Sequence, residues 1–188
     1  MASAELSFEC RTCGQRHVGL PAFHFGGPAQ LGAVPPDELA ARVQRTDDGC
    51  VLDLDGRHYF ARGQLEIPIR GTDERFTWSV WVSLSERSFH RYAELFDDEQ
   101  RPAGESFFGW LCNAVPEYPD TMFLKTELRV RPYPTRPLVE LEPTGHPLAV
   151  DQREGITRER AVALAERLLH PGEGPDSTVA PDSTGRPP

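Results

Sequence analysis

The sequence lacks long apolar runs and has almost no lysine. No segment approaches the roughly 18 consecutive apolar residues that a membrane-spanning helix requires, so we expect no membrane partner. Residues 1–8 contain neither the basic region nor the apolar core of a signal peptide, which favours a cytoplasmic protein. Of the 20 basic residues only Lys125 is lysine, and 29 acidic residues bring the net charge to −9. Because phosphate binding needs a concentrated positive surface, we expect no nucleic-acid partner.

The chain also lacks the short motifs that are characteristic of common enzyme classes. It contains no phosphate-binding loop, no Gly-x-Ser-x-Gly elbow, no His-Glu-x-x-His pair and no dinucleotide fingerprint. Serine, histidine and aspartate are all present, but no spacing among them suggests a catalytic arrangement. These absences favour a non-enzymatic protein and leave catalysis open.

Cysteine is scarce, with four residues in the whole chain. In a cytoplasmic protein, four cysteines point to a metal site or to buried thiols rather than to a disulfide framework. Cys10 and Cys13 form a Cys-x-x-Cys pair followed at once by Gly14, which is typical of a zinc knuckle. His17 lies four residues further on and is the predicted third ligand.

A structural zinc site needs four ligands, and the sequence has no second Cys-x-x-Cys pair. Cys50, near the start of a predicted strand, is the predicted fourth ligand; Cys112, His24 and His58 are weaker candidates. Two reduced thiols without a metal remain an alternative. A redox role is disfavoured, because the redox motif normally opens a helix after a strand and this one lies in a loop.

Residues 76–84 form the strongest strand signal, and the predicted fold is built around them. Apolar side chains at Phe76, Trp78, Val80, Val82 and Leu84 alternate with a more polar set, as expected for a sheet with one buried face. A capping box over residues 83–86 predicts that a helix follows directly.

The remaining periodicity predicts an α+β fold with a mainly antiparallel sheet. Strands at 50–54, 57–62 and 64–69 would form a meander with the central strand, and Asp55-Gly56 predicts a type I′ turn between the first two. Residues 121–131 and 137–141 predict a C-terminal hairpin. About three helices, near 36–44, 84–97 and 156–170, would pack on this sheet, with the Cys-x-x-Cys-Gly knuckle at the N-terminus. Thr157 is the predicted cap of the last helix.

The domain organisation follows from composition. We expect a flexible N-terminus at 1–5, a single α+β domain at 6–170, and a disordered Pro/Ser/Thr-rich tail at 171–188, where Pro-Asp-Ser-Thr occurs twice.

Four further residues are candidates for ligand binding. Trp81 lies on the otherwise polar face of the central strand, so it is either covered by a second layer or part of a binding surface. His146 and Gln152 belong to an unusual polar segment, and Trp110 could lie near them in a groove. The alternative for His146 is a turn in which it caps a helix.

Several motifs together resemble one bacterial family. They are Phe-x-Cys-x-x-Cys-Gly-x-x-His at 8–17, Gly-x-Leu-Glu-Ile-Pro at 63–68, Trp-x-Val-Trp-Val-Ser-Leu-Ser at 78–85, Phe-Gly-Trp-Leu-Cys-Asn at 108–113 and His-Pro-Leu-Ala-Val-Asp-Gln-Arg-Glu-Gly-Ile at 146–156. The sequence resembles the family called domain of unknown function 2199 over most of residues 8–170. This resemblance implies a single bacterial domain and no particular activity.

Three functional hypotheses follow. The first is a binding or interaction protein, without catalysis, that carries a structural zinc at Cys10 and Cys13 and binds a protein partner. The second is a zinc-dependent enzyme with an open metal position. The third is a small-molecule binder that uses Trp81, Trp110 and His146.

Overall fold

A computed structural model describes residues 6–170 and 179–181, and it has an α+β architecture dominated by strands. The flexible N-terminus predicted at 1–5 lies outside the described residues. The described strands are β1 (Ser7–Glu9), β2 (Arg16–Val18), β3 (Phe23–Phe25), β4 (Val43–Arg45), β5 (Gly49–Asp53), β6 (Arg57–Pro68), β7 (Arg75–Leu84), β8 (Ser106–Leu111), β9 (Lys125–Arg129), β10 (Leu138–Leu141) and β11 (Val179–Pro181). The described helices are α1 (Leu39–Arg42), α2 (Glu86–Phe96), α3 (Pro147–Glu154) and α4 (Arg158–Leu169), with a 3₁₀ turn at Ala29–Ala33.

The described residues fall into two compact units. The first unit contains residues 6–26, 66–79, 143–170 and 179–181, and the second contains residues 27–65 and 80–142. The expectation of a single domain over residues 6–170 stays a prediction.

The main departure from the predicted fold is a closed barrel. Strands β7, β8, β9 and β10 pair successively in antiparallel fashion, β10 pairs with β6 in parallel, and β6 also pairs with β7. Five strands therefore close into a ring within a mixed sheet, and the simple antiparallel meander predicted from the sequence is wrong. The prediction failed because of the parallel pair, in which Leu138 aligns with Gln64. No local sequence pattern predicts a pairing between residues so far apart in the chain.

Strand β6 is one element where the sequence predicted two. Gly63, the residue between the predicted strands at 57–62 and 64–69, lies inside β6. A Cβ atom at this position would come within 2.6 Å of Val139 and 2.8 Å of Leu128. The glycine therefore leaves room for the Val139 and Leu128 side chains that pack against β6.

The predicted hairpin of the strands at 50–54 and 57–62 is present as β5 and β6, but its turn differs from the predicted one. Asp53 pairs with Arg57, so three residues, 54–56, connect β5 to β6. Gly56 is not among the residues with positive φ, which a type I′ turn requires at both central positions. The predicted C-terminal hairpin is confirmed by the antiparallel pairing of β9 with β10.

The helices agree in part with the prediction. Helix α1 is limited to four residues of the predicted 36–44, and β4 follows it at once. Helix α2 begins two residues later than predicted, because the Ser85 side chain accepts the hydrogen bond from the Ser88 N–H and acts as the cap. Helix α4 is capped by Thr157, as predicted.

Helix α3 was not predicted. It begins at Pro147, a first-turn position where the missing N–H is tolerated, and the His146 ring Nδ1 accepts a hydrogen bond from the Leu148 N–H. His146 is therefore an N-cap, the structural alternative considered for it.

The short strand β11 lies within the tail predicted to be disordered. Its three residues pair with β3, which offers unpaired backbone groups to any extended segment. Residues 171–178 and 182–188, the rest of that predicted tail, lie outside the described residues. Among the described residues, no helix is both long and apolar enough to cross a membrane.

Candidate metal centre

The candidate site is built on the N-terminal hairpin of the first unit. Strands β1 and β2 pair so that Phe8 lies opposite His17. Between them, the Cys10 N–H donates to the Gln15 carbonyl and the Gly14 N–H donates to the Cys10 carbonyl, both at 2.8 Å. Gly14 has φ of 69°, a conformation that glycine adopts without steric cost. The hairpin thereby places Cys10, Cys13 and His17 around one point.

Four side chains meet at this point. One ligand atom from each of Cys10, Cys13, His17 and His170 lies within 4.8 Å of the other three. Cys13 Sγ and His17 Nε2 are 3.5 Å apart. Ligand atoms of a tetrahedral zinc site with two sulfurs and two nitrogens are separated by about 3.3–3.8 Å, given the usual zinc–ligand distances. The four residues are therefore close enough to bind a metal ion with small adjustments.

His170 comes from the opposite end of the described chain, at the C-cap of α4. Its Nε2 atom is buried and has no hydrogen-bond partner among the residues that the structure describes. A buried ring nitrogen without a partner costs free energy unless something else satisfies it. A metal ion bound to this nitrogen would remove that cost, so the environment of His170 fits the role of ligand.

Helix α4 also holds the loop between the two cysteines. The Arg11 N–H donates to the Glu166 carboxylate at 2.7 Å. Glu166 and His170 are four residues apart, so they lie on the same face at the end of α4. The end of α4 thus positions the His170 ring and, through Glu166, the backbone of the turn between Cys10 and Cys13.

Aromatic packing orients the two histidines. The rings of Phe8 and His17 stack with centroids 5.2 Å apart, and the rings of His17 and His170 lie 5.9 Å apart at 58°. These contacts restrict the orientations of both imidazoles.

Electrostatics favours a thiolate at Cys10. Burial acts to raise the pKa of this thiol, but hydrogen bonds from the backbone and side chains of Cys13 and Thr12 together lower its pKa below the ordinary value. The thiolate is the form that binds metals.

The structure does not bring Cys50 into this group. Cys50 lies on β5 in the second unit, fully buried, and desolvation raises the pKa of its thiol to about 11. The fourth residue of the group is His170. No sequence motif connects His170 with His17, because the two residues are far apart in the chain. The one sequence feature that could have drawn attention to His170 is its position at the end of an amphipathic helix.

The weaker ligand candidates are also absent from the group. Cys112 is buried after β8 and its thiol donates to the Trp110 carbonyl at 3.2 Å. His58 is hydrogen-bonded to Asp55, and His24 lies on β3.

The four predicted ligand-binding residues are divided between the two units. Trp81 is only 1% exposed, so it is covered and cannot touch a ligand at the surface. Trp110 is exposed on β8 in the second unit. His146 caps α3 and Gln152 lies on the same helix, both in the first unit.

Comparison with known proteins places the chain in a family. The family model described as "Uncharacterized protein conserved in bacteria (DUF2199)" matches residues 9–156. The chain belongs to this bacterial family. Cys10, Cys13 and His17 lie inside the matched region, and His170 lies outside it. No curated protein and no solved structure matches the chain.

Proposed function

We propose that Cys10, Cys13, His17 and His170 bind one Zn²⁺ in a structural role, and that the protein is a non-enzymatic binding domain. The observation that carries the proposal is the closed set of four protein ligands around one point. Two thiolates and two imidazoles in a tetrahedral arrangement are a preferred ligand set for zinc.

The structural role follows from where the ligands come from. Three belong to the N-terminal hairpin and the fourth ends α4, so one ion would join segments far apart in sequence. Since such a site does not exist in the unfolded chain, the binding free energy would stabilise the folded state.

A catalytic metal would need an open coordination position beside a cavity. Four protein ligands would leave no coordination position for water or a substrate. A groove of about 160 Å³ in the first unit is lined by side chains of the Cys10–Cys13 turn and α4, namely Arg11, Arg158, Glu159, Val162, Ala163 and Glu166. None of the four ligands lines it, which supports the structural role over the enzymatic alternative.

X-ray absorption at the zinc edge tests this proposal on the purified full-length protein. We expect two sulfur ligands at about 2.3 Å and two nitrogen ligands at about 2.0–2.1 Å. An oxygen from water in place of one nitrogen would overturn the closed site and favour the enzymatic alternative. A protein that does not bind zinc would refute the metal proposal altogether.

A further inference from the structure

Strand β8 presents two large aromatic side chains on the outer face of the second unit. Phe108 is 50% exposed and Trp110 is 39% exposed, whereas the residues that alternate with them point inward. Their rings are in edge contact, with centroids 5.3 Å apart at 80°. Side chains of this size, exposed together on a regular strand, are usual at binding surfaces.

The neighbouring strand adds a carboxylate beside the rings. Glu127 on β9 is the direct partner of Phe108, so their side chains share one face of the sheet. We call Phe108, Trp110 and Glu127 the aromatic–acidic face. Among the described residues, Glu127 forms no ion pair.

The other charges near this face are already paired. Lys125, opposite Trp110, forms an ion pair with Glu142 at 3.5 Å, and Arg129 pairs with Glu140 at 2.6 Å. Glu140 lies opposite Glu127 on β10, and two like charges in that position destabilise a sheet. Among the described residues, Glu127 is therefore the carboxylate beside the rings that stays available to a cation from outside.

We propose that the aromatic–acidic face binds an arginine side chain presented by a basic segment of a partner protein. A guanidinium group can stack on aromatic rings while its N–H groups donate to a carboxylate. The net charge of −9 would attract such a segment from a distance. This inference rests on the proposed role as a binding domain and does not require the zinc.

Tryptophan fluorescence gives a local readout of this surface. Trp78 and Trp81 are buried, so quenching by iodide reports on the exposed Trp110. The probe is a peptide of alternating glycine and arginine, and the matched control replaces each arginine by the neutral citrulline. The full-length protein is used, and the zinc content of the same preparation is measured.

We expect the arginine peptide to shield Trp110 from iodide in a saturable manner, and the citrulline peptide to have no effect. Glu127→Gln should weaken the apparent affinity about 5-fold, the upper range for an exposed ion pair. Phe108→Leu keeps an apolar side chain but removes the ring, and it should weaken binding about 3-fold. Glu99→Gln, which removes an exposed acid outside the face, should leave the affinity unchanged.

Four results would overturn the inference. Equal weakening by Glu127→Gln and Glu99→Gln would show general charge attraction without a site. Equal shielding by the citrulline peptide would show apolar docking. Shielding of Trp110 that rises with protein concentration in the absence of peptide would show that a second copy covers the face. A preparation that binds the peptide without zinc would refute only the metal proposal, and one with zinc but no response would refute only this inference.

Discussion

The backbone N–H of Arg11 donates to the carboxylate of Glu166 at 2.7 Å, which ties the turn between the two cysteines to the helix that ends at His170. This hydrogen bond joins residues 155 positions apart. It provides a direct test of whether α4 holds the hairpin in place.

Replacing Glu166 by alanine should destabilise the protein. Glu166 is buried, and its removal leaves the Arg11 N–H without its acceptor, so we expect the free energy of unfolding to fall by about 1–3 kcal/mol. Urea denaturation measures this change. The Glu166→Gln variant retains an acceptor oxygen and should lose less; an equal loss in both variants would show that charge, not the hydrogen bond, is what matters.

Replacing Asn113 by alanine should also be costly. Its amide oxygen accepts from the Trp81 N–H at 2.7 Å, and its amide nitrogen donates to the Gly27 carbonyl at 2.9 Å. The substitution leaves a buried donor and an acceptor unpaired, so we expect a loss of about 2–4 kcal/mol. Asn113→Asp keeps the acceptor but loses the donor. Thermal or urea unfolding measures the free energy of unfolding. A value for Asn113→Ala within about 0.5 kcal/mol of the parent, roughly the range of neutral surface changes, would contradict the stabilising role of Asn113.

Gly109 in β8 should not tolerate a side chain. A Cβ atom there would come within 2.3 Å of the Ser83 carbonyl oxygen and 2.4 Å of Val82. Because the carbonyl belongs to the backbone, Gly109→Ala should destabilise by about 1–3 kcal/mol. Gly56→Ala, where the added atom has nothing within 4 Å, is the control. Similar melting temperatures for the two variants would refute the barrel packing at β8.

The four thiols should differ in reactivity in metal-free protein. Burial raises the pKa of Cys50 to about 11 and also raises the pKa of Cys112, so both stay protonated and unreactive at pH 8. Cys13 is exposed and should react first. Mass spectrometry after brief alkylation identifies the modified residues. Rapid modification of Cys50 in folded protein would contradict its placement in the core.

Local patterns in the sequence predicted much of the secondary structure. The alternation over 76–84 indicated β7, Thr157 indicated the start of α4, and the pairing of β9 with β10 followed from two adjacent strand signals. Closure of the barrel could not be predicted, because the alignment of Leu138 with Gln64 joins strands distant in the chain.

For the same reason, the sequence indicated only three of the four residues of the candidate site. The spacing of Cys10, Cys13 and His17, which lie within eight residues, is enough to suggest a metal-binding turn. His170 reaches them only through the packing of α4, which involves Glu166 and no short motif. Cys50 was a reasonable fourth ligand by residue type, but it is buried on β5 and is not part of the group.

Zinc content of the purified, untagged protein tests the central claim most directly. We expect about one zinc per chain by elemental analysis, with loss of the metal in Cys13→Ser and His170→Gln and full retention in Cys50→Ala. Absence of zinc from the parent protein would contradict the account. Retention of zinc in His170→Gln with loss in Cys50→Ala would contradict the ligand set.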